Sequence, residues 1–142
     1  MPTDTAKPVI GFDFGTRFIG VAIGNRLTGT AQPLSHLKAR DGIPDWQQLE
    51  NLLNEWQPAC IVVGLPLNMD GSDSTMAQRA RKFANRLHGR FGLAVHCQDE
   101  RLSSFEARSR SSGSKTPRKG GAIDSAAAVV ILEHWLAEQA EQ

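Results

Sequence analysis

The stretch that decides the fold is Val9–Gly24, VIGFDFGTRFIGVAIG, in which a single carboxylate, Asp13, interrupts two runs of apolar residues and glycine. Each run has the length and composition of a β-strand, and the Gly15-Thr16 pair predicts a tight connection. Alternate residues of a strand share a face, so Asp13 has Gly11 and Gly15 beside it. These glycines leave room for a metal ion, a phosphate or a nucleic-acid backbone. An Asx turn also fits an Asp here, so partners elsewhere must decide.

Length and composition favour one domain. With 142 residues, the chain can bury about 70% of its unfolded surface in a single core. It has no apolar run of 18 residues and no basic segment followed by an apolar one, so we expect a cytoplasmic protein without a membrane partner. Cys60 and Cys97 lie in predicted buried strands without a C-x-x-C pattern, which indicates small apolar residues in a reducing compartment, with a disulfide as the alternative. The predicted domain spans residues 1–142, with residues 1–7 disordered.

Positive charge is concentrated in one part of the chain. From Arg79 to Lys119, eleven Lys and Arg stand against three acids, a local net charge of +8, although the whole chain carries only +1. Such asymmetry is typical of a face that binds a polyanion such as nucleic acid. A solvated helix face produces part of the same pattern, so the charge does not identify a ligand by itself.

A strand, a loop and a helix follow the opening stretch. Arg26–Lys38, which contains glycine and proline, suits a third strand or an extended return at a sheet edge. Asp41–Pro44 is predicted to be a loop, and Asp45 to be the N-cap of a helix that Pro58 ends. The apolar stripe of this helix recurs every three or four residues and comprises Trp46, Leu49, Leu53 and Trp56.

A buried strand and a basic helix come next. Cys60–Gly64, CIVVG, is typical of a strand covered on both faces, and the loop LPLNMDGSDS leaves its end, where α/β proteins often carry functional residues. The helix begins near Asp73 or Ser74. Its apolar stripe is Met76, Ala80, Phe83, Leu87 and Phe91, and its basic stripe is Arg79, Lys82, Arg86 and Arg90. The basic stripe fits a phosphate backbone and equally fits an ordinary solvated face.

Two adjacent acids end the following strand. Leu93–Gln98 leads into Asp99 and Glu100, whose side chains point to opposite faces, so only one of them can join Asp13. Alternation along the strand does not decide which one.

A short helix, a loop and a long helix complete the chain. A capping-box pattern at Ser103 predicts the short helix, and residues 109–121, SRSSGSKTPRKGG, are predicted to form a mobile cationic loop. The last helix runs from about residue 123 to 139 and buries a face made of Ala128, Ile131, Leu132 and Trp135. Asp124 lies on that face in the first turn, although an Asp there also suits capping and the helix dipole.

The order of elements predicts an α/β domain with a mixed five-stranded sheet flanked by helices, in the order strand-strand-strand-helix-strand-helix-strand-helix. Four motifs, GFDFGTRFIGVAIGN, IVVGLPLNMDGS, DERLSS and DSAAAVVILE, lie on those elements and span nearly the whole chain. With them the chain resembles the ribonuclease H-like superfamily, and more closely the YqgF/RuvX-like family of Holliday-junction resolvases and precursor ribosomal-RNA nucleases.

The resemblance implies a catalytic and metal-binding cluster of three acids, Asp13, Glu100 and Asp124, and so favours Glu100 over Asp99. The implied cofactors are Mg2+ or Mn2+, as two ions, because hard cations prefer carboxylate oxygens. Three carboxylates held close together repel one another unless metal neutralises them.

The resemblance also implies substrate contacts. Asn68, with Gly64, Pro66 and Gly71, is expected to shape a substrate-facing loop. The expected phosphate contacts are Arg17, Arg79, Lys82 and Arg101. Residues 109–121 look shorter and richer in serine than the same loop of many relatives, which leaves loop-dependent substrate choice open.

The function implied by the resemblance is a metal-dependent nuclease that processes the structured RNA of precursor 16S ribosomal RNA in ribosome biogenesis. One alternative is a resolvase of branched, four-way DNA, which needs two sites across a homodimer, whereas a monomer suffices for RNA. Another is a noncatalytic nucleic-acid-binding module of the ribosome or the transcription machinery, which the basic face would serve. DFGT also resembles the first phosphate loop of sugar-kinase and actin-like ATPases, but those need two domains and 142 residues are too few.

Overall fold

The computed structural model describes residues 7–100 and 125–140 and forms a mixed six-stranded sheet with helices on both faces. The strands are β1 (Val9–Asp13), β2 (Phe18–Asn25), β3 (Thr30–Arg40), β4 (Ile43–Pro44), β5 (Cys60–Leu65) and β6 (Ala94–Asp99). The described helices are α1 (Trp46–Trp56), α2 (Thr75–Phe91) and α3 (Ala126–Ala140). No helix within these ranges is long and apolar enough to cross a membrane.

The sheet has the order β4-β3-β2-β1-β5-β6. β1 pairs antiparallel with β2, and β3 pairs antiparallel with β2 and β4. β1, β5 and β6 run parallel, with α2 connecting β5 to β6. The carboxyl ends of β1, β5 and β6 therefore meet at one edge, where the acids of the sequence analysis were expected.

The sixth strand corrects the predicted five-stranded sheet. Ile43–Pro44, assigned to a loop from the sequence, pairs with Ala39 and Arg40 of β3. Asp41 and Gly42 between the two strands have φ values of 51° and 82°. Positive φ at both central residues is typical of a two-residue type I′ hairpin, for which Asp-Gly is a preferred pair. The Asp-Gly pair is the sequence signal for this hairpin.

Two cores lie on opposite sides of the sheet. On one side, α1 and α2 pack against the sheet around Phe12, Ile61 and Phe83. On the other side, α3 packs around Val9, Val62 and Leu132. Each residue of β5 is buried, which confirms a strand covered on both faces. Below, the two sides are called the α1/α2 face and the α3 face.

The predicted helix ends are confirmed for α1 and α2. The Asp45 carboxylate accepts the backbone N–H groups of Gln47 and Gln48, and α1 ends at the left-handed Gln57 before Pro58. The Ser74 hydroxyl accepts the N–H of Ala77 at the start of α2. Capping side chains satisfy N–H groups that have no partner within the helix.

Two other expectations are decided by position in the sheet. Cys60 is buried as predicted, but Cys97 is exposed because β6 is the edge strand. The predicted buried face of the last helix, Ala128, Ile131, Leu132 and Trp135, is confirmed. Residues 1–6, the predicted short helix at Ser103, the predicted loop 109–121 and the start of the last helix up to residue 124 lie outside the described residues.

Candidate active site

Asp13 ends β1 on the α3 face of the sheet. Val9 packs in the core on the α3 face, and a Cβ added at Gly11 would point toward Leu132 of α3. Alternation then places Asp13 on the same face, at the carboxyl end of the strand. Asp13 is half-buried and pairs across the sheet with Gly20 of β2.

The glycines beside Asp13 do not leave the open space that the sequence indicated. A Cβ at Gly11 would lie 3.1 Å from Cβ of Leu132, so this glycine makes room for α3. A Cβ at Gly15 would collide with the carbonyl oxygen of Phe18, so this glycine allows the tight β1–β2 connection. Both small residues serve internal packing, and the idea that they admit a phosphate backbone is wrong in this structure.

Glu100 turns back from the end of β6 toward Asp13. Its backbone N–H donates to the carbonyl of Leu65 at 3.1 Å, which holds the chain against the end of β5. One carboxylate oxygen, Oε2, lies where a Cβ of Gly64 would be. Phe12 pairs with Val63, so Asp13 and Gly64 occupy the next position of neighbouring parallel strands. Gly64 therefore provides the space that brings the Glu100 carboxylate beside Asp13.

The Glu100 carboxylate is in an environment that disfavours its charge. Burial, followed by the negative charges of Asp13 and Asp99, raises the pKa of Glu100 to about 8. Its Oε2 atom is buried and has no hydrogen-bond partner among the described residues. A carboxylate in this state is stabilised either by a proton or by a cation.

The structure also places Asp99 and Glu100 on different faces. Gln98 is buried and donates through Nε2 to Oε2 of Glu138 in α3 at 3.1 Å, so Gln98 lies on the α3 face. Alternation puts Asp99 on the α1/α2 face and Glu100 with Gln98. Glu100 thus shares the α3 face with Asp13, and we refer to Asp13 and Glu100 as the carboxylate pair.

Asp124 lies outside the described residues, but Ser125, which follows it, is firmly placed. The fully buried Ser125 hydroxyl accepts the N–H of Val21 at 3.2 Å and donates to the carbonyl of Leu34 at 2.7 Å. These groups face a β-bulge, where the β2–β3 register shifts between Ile19 and Val21. Ser125 therefore fastens the start of the last helix to β2, one residue from the Gly20 that pairs with Asp13. The sequence analysis missed this role, for which a lone Ser heading an apolar helix is the available signal.

Asn68 is used to close its own loop. Its side-chain amide donates to Oγ of Ser72 at 3.0 Å and to the carbonyl of Asp73 at 3.4 Å. Its backbone N–H donates to the carbonyl of Ser72, and Ser74 donates to the carbonyl of Pro66. These bonds agree with the expected loop-shaping role of Asn68 and leave its substrate contact a prediction.

The predicted basic side chains are less available than the sequence indicated. Arg79 donates to the carbonyl and carboxylate oxygens of Asp41 at 2.8 and 2.9 Å. Arg90 lies over the ring of Trp46, with its guanidinium carbon 4.1 Å from the ring centre. Lys82 is exposed. All three belong to α2, which packs on the α1/α2 face, and the structure does not bring them onto the face of the carboxylate pair.

Of the two remaining predicted cations, the structure describes Arg17, in the β1–β2 connection. Arg17 is exposed, four residues after Asp13, and its carbonyl accepts the N–H of Ala39 at 2.8 Å. Arg101 follows Glu100 directly and lies outside the described residues.

The described residues hold two of the three expected metal ligands. Residues 7–100 and 125–140 contain no group of three or more His, Cys, Asp or Glu side chains that could hold a metal ion. Within that part of the chain, the carboxylate pair with its unpartnered oxygen fits a hard divalent cation, because such ions bind carboxylate oxygens and retain water as further ligands.

Comparisons with known proteins agree with the resemblance drawn from the motifs. A family model described as "RuvX: Holliday junction resolvase" matches residues 7–138. A protein of Pectobacterium carotovorum named "Putative pre-16S rRNA nuclease" is 57% identical over 137 residues, covering 94% of this chain and 98% of that protein. A protein of the same name from Yersinia pestis is 58% identical over 136 residues, covering 94% and 97%.

Solved structures confirm the predicted ribonuclease H-like fold. Thermus thermophilus RuvC in complex with Holliday junction substrate has a TM-score of 0.55 at 16% identity, covering 94% of this chain and 96% of that one. The yeast mitochondrial Holliday junction resolvase Ydc2 has a TM-score of 0.59 at 11% identity, covering 96% and 80%. The structures show the fold alone. Because the family model matches residues 7–138 and relatives of more than half identity cover 94% of the chain, this chain belongs to the RuvX family.

Proposed function

We propose that the chain is a metal-dependent nuclease whose catalytic acids are Asp13, Glu100 and Asp124. The observation that carries the proposal is the carboxylate pair, two acids held on one face of the sheet. The Oε2 atom of Glu100 is buried against Gly64 and has no hydrogen-bond partner among the described residues. A protein gains no stability from such an arrangement, since burial and mutual repulsion both oppose ionisation of Glu100. Strongly perturbed carboxylates in this position are typical of functional sites.

The proposed ligands of Mg2+ or Mn2+ are Asp13 and Glu100, with Asp124 as the third. Ser125, held at the bulge beside Val21, supports Asp124 as a member of the same site. The chemistry that two such ions supply when bound is activation of a water molecule and stabilisation of the leaving oxygen of a phosphodiester.

The residues of the chain bind and orient the reactants. Asp13 is positioned by the end of β1, and Glu100 by its hydrogen bond to Leu65. With its pKa raised to about 8 by burial and by the charges of Asp13 and Asp99, the Glu100 carboxyl favours its protonated form at neutral pH, and a bound cation would favour the charged form. Gly64 keeps this carboxyl next to Asp13 because any larger residue would occupy its place.

The proposed substrate is the structured RNA of precursor 16S ribosomal RNA, cut in the cytoplasm during ribosome biogenesis. Relatives that are 57% and 58% identical bear the name of a nuclease for this RNA. Branched DNA is the second candidate, because the matching family model is described as a Holliday junction resolvase. Resolution of a four-way junction requires a homodimer, whereas cleavage of RNA requires only a monomer.

A side-by-side cleavage assay tests both substrates. The purified chain is incubated with precursor 16S RNA or with a four-way DNA junction, in Mg2+, in Mn2+ and in EDTA. We expect metal-dependent cleavage of the RNA. Asp13→Asn and Glu100→Gln should each slow it about a hundredfold or more, because loss of a metal ligand removes several kcal/mol of transition-state stabilisation.

Asp99→Asn is the matched control, since Asp99 neighbours Glu100 in sequence but points to the other face. It should retain most of the activity. Equal cleavage by the unchanged chain and by Asp13→Asn would contradict the proposed site. Cleavage of the junction alone would assign the protein to the resolvases, and binding without cleavage of either substrate would favour a noncatalytic module.

A further inference from the structure

We propose that the α3 face of β2 and β3 binds an unpaired nucleic-acid strand and leads it to Asp13. The surface consists of Phe18, His36, Lys38 and Arg40, and we call it the strand platform. This proposal rests on the proposed nuclease function, because the platform would place the nucleic acid beside the proposed catalytic acids. None of its four residues belongs to the basic stripe of α2.

The register of the sheet puts the platform on the same face as Asp13. Asp13 pairs with Gly20, and Phe18 lies two residues along β2 from Gly20. Phe18 pairs with Lys38 of β3, and directly paired residues share a face. Arg40 follows two residues later on that face. A strand of nucleic acid lying across Phe18 would therefore reach Asp13 without crossing the sheet.

The described part of α3 leaves this portion of the sheet uncovered. Ser125 fastens the start of the helix at Val21 and Leu34, and the helix then packs over Ala22 and Ala31, away from Phe18. Lys38 and Arg40 are exposed, and Phe18 retains 42% of its accessible surface.

The Phe18 ring is held in place although it is exposed. The ring of His36 packs edge-on against it, with 4.7 Å between ring centres and 90° between planes. The bulge beside Gly20 leaves two residues of β3, Ser35 and His36, opposite one residue of β2. An exposed aromatic ring with a fixed orientation can stack a base at little cost in conformational entropy.

The charge of the β2–β3 region suits a phosphate backbone. Residues 14–40 contain four Lys and Arg, namely Arg17, Arg26, Lys38 and Arg40, and no Asp or Glu. Three of these cations lie at the end of the strands near Asp13. Arg17 is in the β1–β2 connection, and Lys38 and Arg40 are at the end of β3. Lys38 and Arg40 share a face about 7 Å apart, which allows both to contact one backbone.

The ligand is an unpaired strand rather than a duplex. An aromatic ring binds nucleic acid by stacking on the face of a base, and the bases of a duplex are already stacked on one another. A surface that bound only duplex would use its cations and would gain nothing from Phe18. The combination of one exposed ring and flanking cations is that of proteins that bind single strands.

Fluorescence anisotropy tests the platform with the full chain in EDTA, so that binding is measured without cleavage. The probe is a fluorescein-labelled single-stranded RNA of about twelve nucleotides, a length that OB-fold proteins also bind, compared with the same RNA in a duplex and with single-stranded DNA. Phe18→Ala should weaken binding of the single-stranded RNA about tenfold, the usual effect of removing one stacking ring. Phe18→Tyr keeps the ring and should bind within about twofold of the unchanged chain.

Lys38→Ala tests the electrostatic part independently. Each phosphate contact with a single strand contributes about 0.7 to the slope of log affinity against log salt. Lys38→Ala should lower that slope by about this amount, and Phe18→Ala should leave it unchanged. This second variant keeps the test valid if removal of the aromatic ring disturbs folding, which thermal melting would detect.

Leu27→Ala and Lys7→Ala are the matched controls. Leu27 is an apolar side chain that is 73% exposed. It lies in the β2–β3 turn, at the opposite end of the strands from Asp13. Lys7 is an exposed cation just before β1, also at the opposite end. Both variants should bind the RNA as the unchanged chain does.

The platform is wrong if Phe18→Ala binds single-stranded RNA as tightly as the unchanged chain, or if duplex RNA binds equally well with the same dependence on Phe18. Equal weakening for single-stranded DNA would support the platform and would show that it binds an unpaired strand of either nucleic acid. Binding that depends on Phe18 in a protein that cleaves nothing would refute the proposed nuclease and support the platform. Cleavage of the RNA together with unchanged binding by Phe18→Ala would support the proposed nuclease and refute the platform.

Discussion

At the scale of single residues, the candidate site depends on Gly64, which the positions of the acids in the sequence do not predict. The space beside Gly64 is filled by the Glu100 carboxylate and by Ile131 of α3. Glycine is required there because a Cβ would displace Glu100, one of the three proposed metal ligands. The side chain of Glu100 thus reaches Asp13 because Gly64 of the neighbouring strand has no side chain, and its position just after β6 does not suffice.

Gly64→Ala should inactivate the chain and destabilise it. The added methyl group would collide with Oε2 of Glu100 and with Ile131. Overpacking of this kind costs about 1–3 kcal/mol of unfolding free energy, which chemical denaturation measures, and the displaced carboxylate should reduce cleavage about as much as Glu100→Gln.

Gly89→Ala is its control, because a Cβ at Gly89 of α2 meets nothing within 4 Å. Alanine is favoured over glycine in a helix by up to about 1 kcal/mol, so this variant should be slightly more stable and fully active. If Gly64→Ala were as stable and as active as Gly89→Ala, the arrangement of Glu100 described above would be incorrect.

The pH dependence of stability should report the buried carboxyl group of Glu100. Its pKa is raised from an ordinary value near 4.5 to about 8 in the folded chain. Between these values the folded chain binds more protons than the unfolded chain, so the free energy of unfolding falls as pH rises through this window. One such group contributes a slope of at most about 1.4 kcal/mol per pH unit.

Denaturation in EDTA from pH 4.5 to pH 8.5 measures this slope for the unchanged chain and for Glu100→Gln. The variant should lose the part of the slope that Glu100 causes and should be relatively more stable at pH 8. Glu50→Gln, at an exposed position of α1, should leave the slope unchanged. Identical slopes for the unchanged chain and for Glu100→Gln would show that Glu100 titrates normally.

At the scale of secondary-structure elements, the start of the last helix is fixed by a defect in the sheet. The β-bulge lies between Ile19 and Val21, beside the N–H of Val21 and the carbonyl of Leu34. The Ser125 hydroxyl serves both groups. Bulges are common next to active sites because they redirect chain and side chains. Here the bulge supplies the attachment for the helix that Asp124 precedes.

Ser125→Ala should therefore destabilise the domain and impair cleavage together. The N–H of Val21 and the carbonyl of Leu34 each lose their hydrogen bond to the hydroxyl, which costs about 1–3 kcal/mol of unfolding free energy. Thermal or urea denaturation gives the loss of stability, and the RNA cleavage assay gives the loss of activity. Ser35→Ala, at an exposed position of the same bulge, should change the unfolding free energy by less than about 0.5 kcal/mol. A Ser125→Ala protein of unchanged stability would mean that the hydroxyl does not hold the helix.

At the scale of the whole molecule, the two faces of the sheet have different tasks. The α1/α2 face carries the larger core and the basic stripe of α2, where Arg79 braces the β3–β4 turn and Arg90 covers Trp46. The α3 face carries the carboxylate pair and the strand platform. The strong local charge between Arg79 and Lys119 includes the basic stripe of α2, whereas the acid-free segment of residues 14–40 supplies Lys38 and Arg40 on the face of Asp13.

Much of this architecture could be predicted from local patterns. Alternating and helical periodicities, the caps at Asp45 and Ser74 and the continuous apolar run of β5 each depend on neighbours in sequence. These signals predicted five of the six strands and all three described helices. The β4 strand was missed because two residues carry no periodicity, and only the Asp-Gly turn marks it.

The sequence by itself determined the α/β order of elements, the position of Asp13 at a strand end and, through its motifs, the family. Only the tertiary structure decided which glycine makes room for a carboxylate, which of Asp99 and Glu100 faces Asp13, and which cations lie beside them. The physical reason is that alternation along a strand shows which residues share a face but not which side of the sheet that face lies on. The side is decided only when the helices pack on the sheet. In the packed structure Gly11 makes room for Leu132 of α3 and Gly64 makes room for the Glu100 carboxylate, although the two glycines look alike in the sequence.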